Sequence, residues 1–238
     1  MGINSLFTSN QNDNDNEIEN SADINNNNKS ENKDYLLSNK EFYNYYILSL
    51  ANLINKNVIL LGDEKIGKTR LFNLMLNKSE NNEEINSEQN YAYFEEKKIN
   101  IKGFDININI WDTPGGDKHK EANKHFIKDC IISYLCFHFK IKKSFESVKN
   151  YYINIVKEIN GKDTFIILVG IKNKIFGEED ENQENIISIN TIRNFAEKNN
   201  VLYYTISLDD INSINYFFYD SIKQYSLHKA KINFVNNV

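Results

Sequence analysis

The sequence predicts an α/β three-layer sandwich on a mostly parallel six-stranded sheet with one antiparallel hairpin strand, and three observations carry that prediction. An apolar run, Asn57-Val58-Ile59-Leu60-Leu61, feeds a glycine loop, Gly62-Asp63-Glu64-Lys65-Ile66-Gly67-Lys68-Thr69, which in turn opens a helix. Two apolar-patterned runs, Tyr93 to Ile101 and Phe104 to Trp111, are separated only by Lys102-Gly103, the spacing of a hairpin. Beyond them, strand-like and helical patterns alternate to the end of the chain.

Taken in order, residues 1–33 form an N-terminal segment that from Ser9 to about Lys33 is almost devoid of apolar side chains and includes the tract Asn25-Asn26-Asn27-Asn28. They cannot offset the entropy of ordering and are expected to be disordered. Residues 34–55 carry Phe42, Tyr43, Tyr45, Tyr46, Ile47, Leu50, Leu53 and Ile54 at a helix-compatible spacing, and predict an extra N-terminal helix packed on the domain. A partner-binding or membrane-surface helix is the alternative. The domain proper is placed at 56–228, with 229–238 as a C-terminal tail. Within it, Arg70 to Asn77 continues the helix opened by the loop, and Lys78 to Asn90 is polar and acidic enough to be expected as a mobile loop. Ile131 to Phe139, Thr164 to Val169 and Val201 to Ile206 predict buried strands. Helices are predicted at Ser144 to Ile159, Ile189 to Lys198 and Asn212 to Tyr225.

The glycine loop is where the chemistry concentrates. Its glycines let successive backbone N–H groups turn inward on phosphate oxygens, Lys68 can reach the β and γ oxygens, and the Thr69 hydroxyl can ligate Mg²⁺. In an open α/β sheet such a site sits at the carboxyl ends of the strands. Composition agrees with a soluble nucleotide-binding domain and disfavours nucleic acid as a partner. Of 238 residues, 40% are hydrophobic and 26% charged, and the formal net charge is −5, which implies no basic face. Cys130 and Cys136 sit in or beside an apolar run and read as reduced core thiols of a cytosolic protein. No apolar stretch reaches the roughly 20 residues needed to span a bilayer.

A second motif, Trp111-Asp112-Thr113-Pro114-Gly115, ends the second hairpin strand. Asp112 can hold Mg²⁺ through water, and the Gly115 N–H can contact a γ-phosphate. With it the chain resembles the small GTPases of the Ras superfamily, most closely the Rab branch, over about Asn57 to Tyr225. Ser144-Phe145-Glu146-Ser147-Val148, Leu168-Val169-Gly170 and the gapless spacing from Phe94 to Trp111 carry the same likeness. The resemblance implies a GTP/GDP-binding molecular switch with Mg²⁺, effector and regulatory proteins as partners, and a role in vesicle-mediated intracellular transport. It places the phosphates on residues Gly62 to Thr69 and Gly115.

Several positions depart from the family pattern. The switch threonine that ligates Mg²⁺ in the triphosphate state falls on Gln89, with Ser87 the nearest hydroxyl. The glutamine that orients the attacking water falls on Gly116, which has no side chain to do so. Glu64 and Lys65 stand where small residues are usual; Glu64 brings negative charge to the γ-phosphate and the path of an arginine finger, unless it swings into solvent. The base motif reads Ile171-Lys172-Asn173-Lys174, with Lys174 at the position of the guanine-binding aspartate; a two-residue shift puts Phe176 there instead. Guanine selectivity is therefore expected to be weak, unless Glu178, Glu179 or Asp180 substitutes. The Ser-Ala-Lys loop of the family is reduced to Thr205-Ile206-Ser207-Leu208.

The last residues contain no cysteine, so prenylation is not expected, and Gly2 is followed by Leu6 where a myristoylation motif wants Ser or Thr. A cytoplasmic protein follows, with weak peripheral association to endomembranes left open. Hydrolysis, if present, is expected to be slow, with Lys68 and Gly116 the positions that decide it. Two other readings stay open: a pseudo-GTPase scaffold that keeps the fold for protein binding, and an unrelated P-loop phosphotransferase or ATPase.

Overall fold

Strand β1 (Lys56–Leu61) is the spine of the sheet, and its side chains show why the run is apolar throughout. Val58 and Leu60 enter one core and Ile59 and Leu61 the other, so both faces of the strand are buried. The computed structural model describes residues 40–78, 90–161, 164–172 and 187–237. In it β1 is flanked by β3 (Phe104–Asp112) and β4 (Cys130–His138), both parallel to it. The full order is β2-β3-β1-β4-β5-β6, with β2 (Tyr93–Ile101), β5 (Phe165–Lys172) and β6 (Leu202–Ser207). Only β2 runs antiparallel, paired to β3 across the Lys102-Gly103 turn from Tyr93↔Asp112 to Ile101↔Phe104.

Helices cover both faces. Helices α1 (Lys40–Ala51), α2 (Lys68–Met75) and α7 (Ile211–Asn236) lie over the core that holds Val58, Leu60, Ile108, Ile110 and Val169. The opposite core, with Ile59, Leu61, Leu135 and Leu168, is covered by α3 (Lys120–Ile127), α4 (Lys142–Ser147), α5 (Ile153–Asn160) and α6 (Ile189–Asn199). Strands alternating with helices over a parallel sheet of this order form the predicted three-layer sandwich.

Three elements depart from the sequence reading. The helix expected from Ser144 to Ile159 is interrupted by a π-helical turn, Val148–Tyr152, between α4 and α5. Helix α3 and the 3₁₀ turn before it, Asp117–His119, had no counterpart in the reading. Their apolar signal is thin, because one of the two buried residues of α3 is Asn123. The C-terminal helix, expected to stop near Tyr225, runs on to Asn236, so most of the segment read as a tail is helical. Its extension is packed against α1: the Phe234 ring meets Phe42 edge-on at 5.9 Å and Tyr45 at 6.2 Å. Burial of Phe42, Tyr46, Leu50 and Leu53 along one stripe of α1 and the turn after it completes that contact.

Candidate nucleotide-binding site

The glycine loop leaves β1 at the centre of the sheet and enters α2, so it lies at the carboxyl edge of the strands. Gly67, with φ of 98°, is the residue before the first helical turn. Lys65 also holds a left-handed backbone, with φ of 60°. Such alternation turns neighbouring N–H groups toward one concavity, the geometry of an anion nest. Lys68 heads α2 and is 5 % exposed, and its ammonium donates to the Asp63 carbonyl at 2.6 Å. Desolvation pulls its pKa below the ordinary lysine value, opposed chiefly by the Asp112 carboxylate. Thr69 follows in the first turn, half-buried.

Asp112 ends β3, the strand next to β1, and is wholly buried. The loop after it is pinned on both sides. The Thr113 hydroxyl donates to the Leu60 carbonyl of β1 at 2.6 Å, and the Asn123 amide of α3 donates to the Pro114 carbonyl at 2.8 Å. These bonds bring the second loop onto the first. A Cβ on Gly115 would lie 2.5 Å from the Asp63 carbonyl carbon, so only glycine fits there. Gly116 has φ of 89° and faces the Glu64 carboxylate.

Asp63 is tied to the opposite core, a link that motif reading did not anticipate. Its carboxylate accepts from the Ser147 hydroxyl at 2.7 Å and the Tyr152 hydroxyl at 3.4 Å. Tyr152 belongs to the π turn, whose insertion no pattern in the sequence marks. Lys120 of α3 lies over the neighbouring Tyr151 ring at 4.4 Å and pairs with Asp117 at 2.6 Å. The phosphate loop, the π turn and the loop after Asp112 thus form one connected structure.

On the other side of the glycine loop lie the ends of β5 and β6. Leu208 and Ile171 approach Gly67, where an added Cβ would meet Leu208 Cδ1 at 2.9 Å and Ile171 Cγ2 at 3.8 Å. Arg70, in the first turn of α2, reaches Asp209 at 2.8 Å. Lys172 ends β5 with its ammonium 4.9 Å from the centre of the Phe139 ring. Asn173, Lys174, Phe176, Glu178, Glu179 and Asp180 lie outside the described residues, as do Ser87 and Gln89. Cys130 and Cys136 are buried, and burial raises both thiols to about 12, as expected of inert core cysteines.

A half-exposed aromatic stack adjoins the site. Trp111, one residue before Asp112, has Phe94 of β2 on one side at 4.7 Å and Phe126 of α3 on the other at 5.1 Å. Phe94 is 49 % exposed.

A buried lysine in a glycine loop, with a buried aspartate at the end of the adjacent strand, defines a P-loop protein suited to a Mg²⁺-bound nucleotide. The Ras family model matches residues 57–227, 171 of the 238 residues. The chain therefore belongs to the Ras family, and its relatives place it with the Rab-like small GTPases. Human Ras-related protein Rab-21 is 29% identical over 167 residues, covering 70% of this chain and 70% of its own. The GTP-binding protein YPT53 of Saccharomyces cerevisiae is 26% identical over 150 residues, 63% of this chain and 67% of its own. Ras-related protein Rab-2B of Dictyostelium discoideum is 25% identical over 167 residues, 70% of this chain and 78% of its own. No helix among the described residues is long and apolar enough to cross a membrane.

Proposed function

We propose that this chain is a nucleotide-dependent switch that binds GTP and GDP with Mg²⁺, hydrolyses GTP slowly, and recruits effector and regulatory proteins in vesicle-mediated intracellular transport. The observation that carries the reading is the placement of buried Lys68, at the head of α2, beside buried Asp112, at the end of β3. A dry lysine and carboxylate side by side suit a site completed by phosphate and a divalent cation. In this reading residues 62–69 and the Gly115 N–H cradle the phosphates, and Lys68 supplies charge. Thr69 directly, and Asp112 through water, would hold Mg²⁺, which would supply positive charge beside the phosphates. Lys172, Asn173 and Lys174 flank the base.

Slow hydrolysis follows from Gly116, which has no side chain with which to hold water. Weak choice between bases follows from Lys174, or Phe176 in the shifted register, standing in the sequence where guanine needs a carboxylate acceptor. The exposed face of the Phe94–Trp111–Phe126 stack suits partner proteins, because it offers aromatic surface one residue from Asp112. The protein would act in the cytoplasm, with peripheral association to endomembranes.

Gly116, which offers no side chain to the site, together with the Gln89 and Lys174 departures in the sequence, favours a second reading, a pseudo-GTPase scaffold that keeps the fold for protein binding. Mass spectrometry of nucleotide carried through gentle purification, followed by calorimetry with GDP and GTP, separates the two. Co-purified guanine nucleotide is expected. Absence of binding by any nucleoside triphosphate would establish the scaffold.

A further inference from the structure

Glu64 is exposed, yet its side chain does not run out into solvent. It lies across the second loop, with Oε2 3.3 Å and Cδ 3.6 Å from where a Cβ on Gly116 would stand. Beneath it the two loops are in backbone contact at Gly115, where an added Cβ would lie 2.5 Å from Glu64 Cα. Both sides of this junction are anchored: Asp63 by Ser147 and Tyr152, the second loop through Thr113 and Asn123. The carboxylate thus lies at the boundary between the loop that would cradle phosphates and the loop that would sense the terminal one. It lies within electrostatic reach of the Lys68 ammonium. Lys68 is turned onto the Asp63 carbonyl, and Lys120 pairs with Asp117.

We propose that Glu64 is a specificity residue that biases this site toward the nucleoside diphosphate, and that a third phosphate is read by expelling the Glu64 carboxylate from Gly116. The inference rests on the switch reading above and adds to it the residue that distinguishes the two nucleotides. A γ-phosphate brings further negative charge to the junction, and like charges a few ångströms apart at a partly solvated surface repel enough to shift an equilibrium about tenfold. Gly116 is the matched half of the device, since a side chain there would take the space the carboxylate uses. The triphosphate would then be sensed by repulsion at Glu64 rather than only by ligation from the segment that carries Gln89.

The test is equilibrium binding of GDP and of a non-hydrolysable GTP analogue, both with Mg²⁺, to the full chain and to Glu64→Gln and Glu64→Ala. Wild type is expected to favour GDP by about tenfold, and both variants to bring the ratio within about threefold of unity. Added salt should narrow the wild-type ratio and leave those of the variants in place. The proposal is overturned if the ratio is the same in all three proteins, or if wild type favours the analogue; tight binding in those cases leaves the switch reading standing. If no protein binds either nucleotide, the switch reading itself fails and this inference falls with it.

Discussion

Restoring the missing side chain at position 116 is the sharpest test of the hydrolytic reading, because the structure sets an upper limit on what Gly116→Gln alone can achieve. A positioned group that orients or deprotonates water supplies about 10² to 10⁴ in rate. Against this, φ of 89° at Gly116 suits glycine. With ψ of 159° this conformation is essentially confined to glycine, and any other residue loses about 1–3 kcal/mol, equivalent to about 5- to 150-fold. The new Cβ would also stand 3.3 Å from Glu64 Oε2, so the Glu64 carboxylate must give way by a few tenths of an ångström to admit the glutamine, and its charge stays beside it. Gly116→Gln alone should therefore raise hydrolysis by no more than about tenfold, and Glu64→Gly with Gly116→Gln by about a hundredfold. Single-turnover hydrolysis of bound GTP by wild type, each single variant and the pair measures the coupling directly. Wild-type turnover equal to that of an ordinary Rab protein, with no gain in any variant, would refute the reasoning, as would strictly additive effects in the pair.

Lys68→Ala and Thr69→Asn should each weaken Mg²⁺-nucleotide binding by about 10- to 100-fold in calorimetry, since each removes a charged or metal-directed contact. GTP should be preferred over ATP by far less than in ordinary family members, measured by competition against a fluorescent nucleotide; strong GTP preference would point to a carboxylate from the Glu178-Glu179-Asp180 segment. The Tyr46 hydroxyl is buried with no hydrogen-bond partner among the described residues, so Tyr46→Phe should stabilise the fold by about 1 kcal/mol in urea unfolding. Burial pushes the Tyr46 phenol up to about 12, while in the unfolded chain it ionises near the ordinary value of about 10. The unfolded state therefore loses its proton first, wild type loses stability between about pH 10 and 12, and the advantage of Tyr46→Phe should widen across that window. Phe234→Ala removes a half-buried ring from the contact with α1 and should cost about 1.5–2.5 kcal/mol, roughly half the loss for a fully buried phenylalanine.

The sheet was legible in the sequence because its signals are local and strong. Val58 to Leu61 are apolar on both faces, and the Lys102-Gly103 turn fixes the register of the hairpin within a residue of what was expected. The P-loop and Asp112 were legible for the same reason, as short patterns with one stereochemical solution. Contacts between distant segments were not. Nothing in the residues around Glu64 shows that its side chain will lie on Gly116, more than fifty positions away, because that depends on how Thr113 and Asn123 seat the second loop. Helix α3 escaped notice because Asn123, which a hydropathy pattern counts as solvated, is buried to hold Pro114. The reach of α7 to Asn236 was missed because its last turns are polar by composition, and their helicity depends on Phe234 finding α1.

The π turn at Val148–Tyr152 gives this helix an unusual response to a change in length. One residue in an α-helix corresponds to about 100° of rotation, so deleting a single residue from the turn would let α4 and α5 join as one regular helix. The rejoined helix would be locally more regular, but the turn would no longer present the same residues. Ser147 and Tyr152 could no longer both reach Asp63, and the ring beneath Lys120 would turn away with them. At this point a gain in helical regularity works against the phosphate loop. A shortening that looks conservative in an alignment would detach the loop from its support while leaving every motif residue in place.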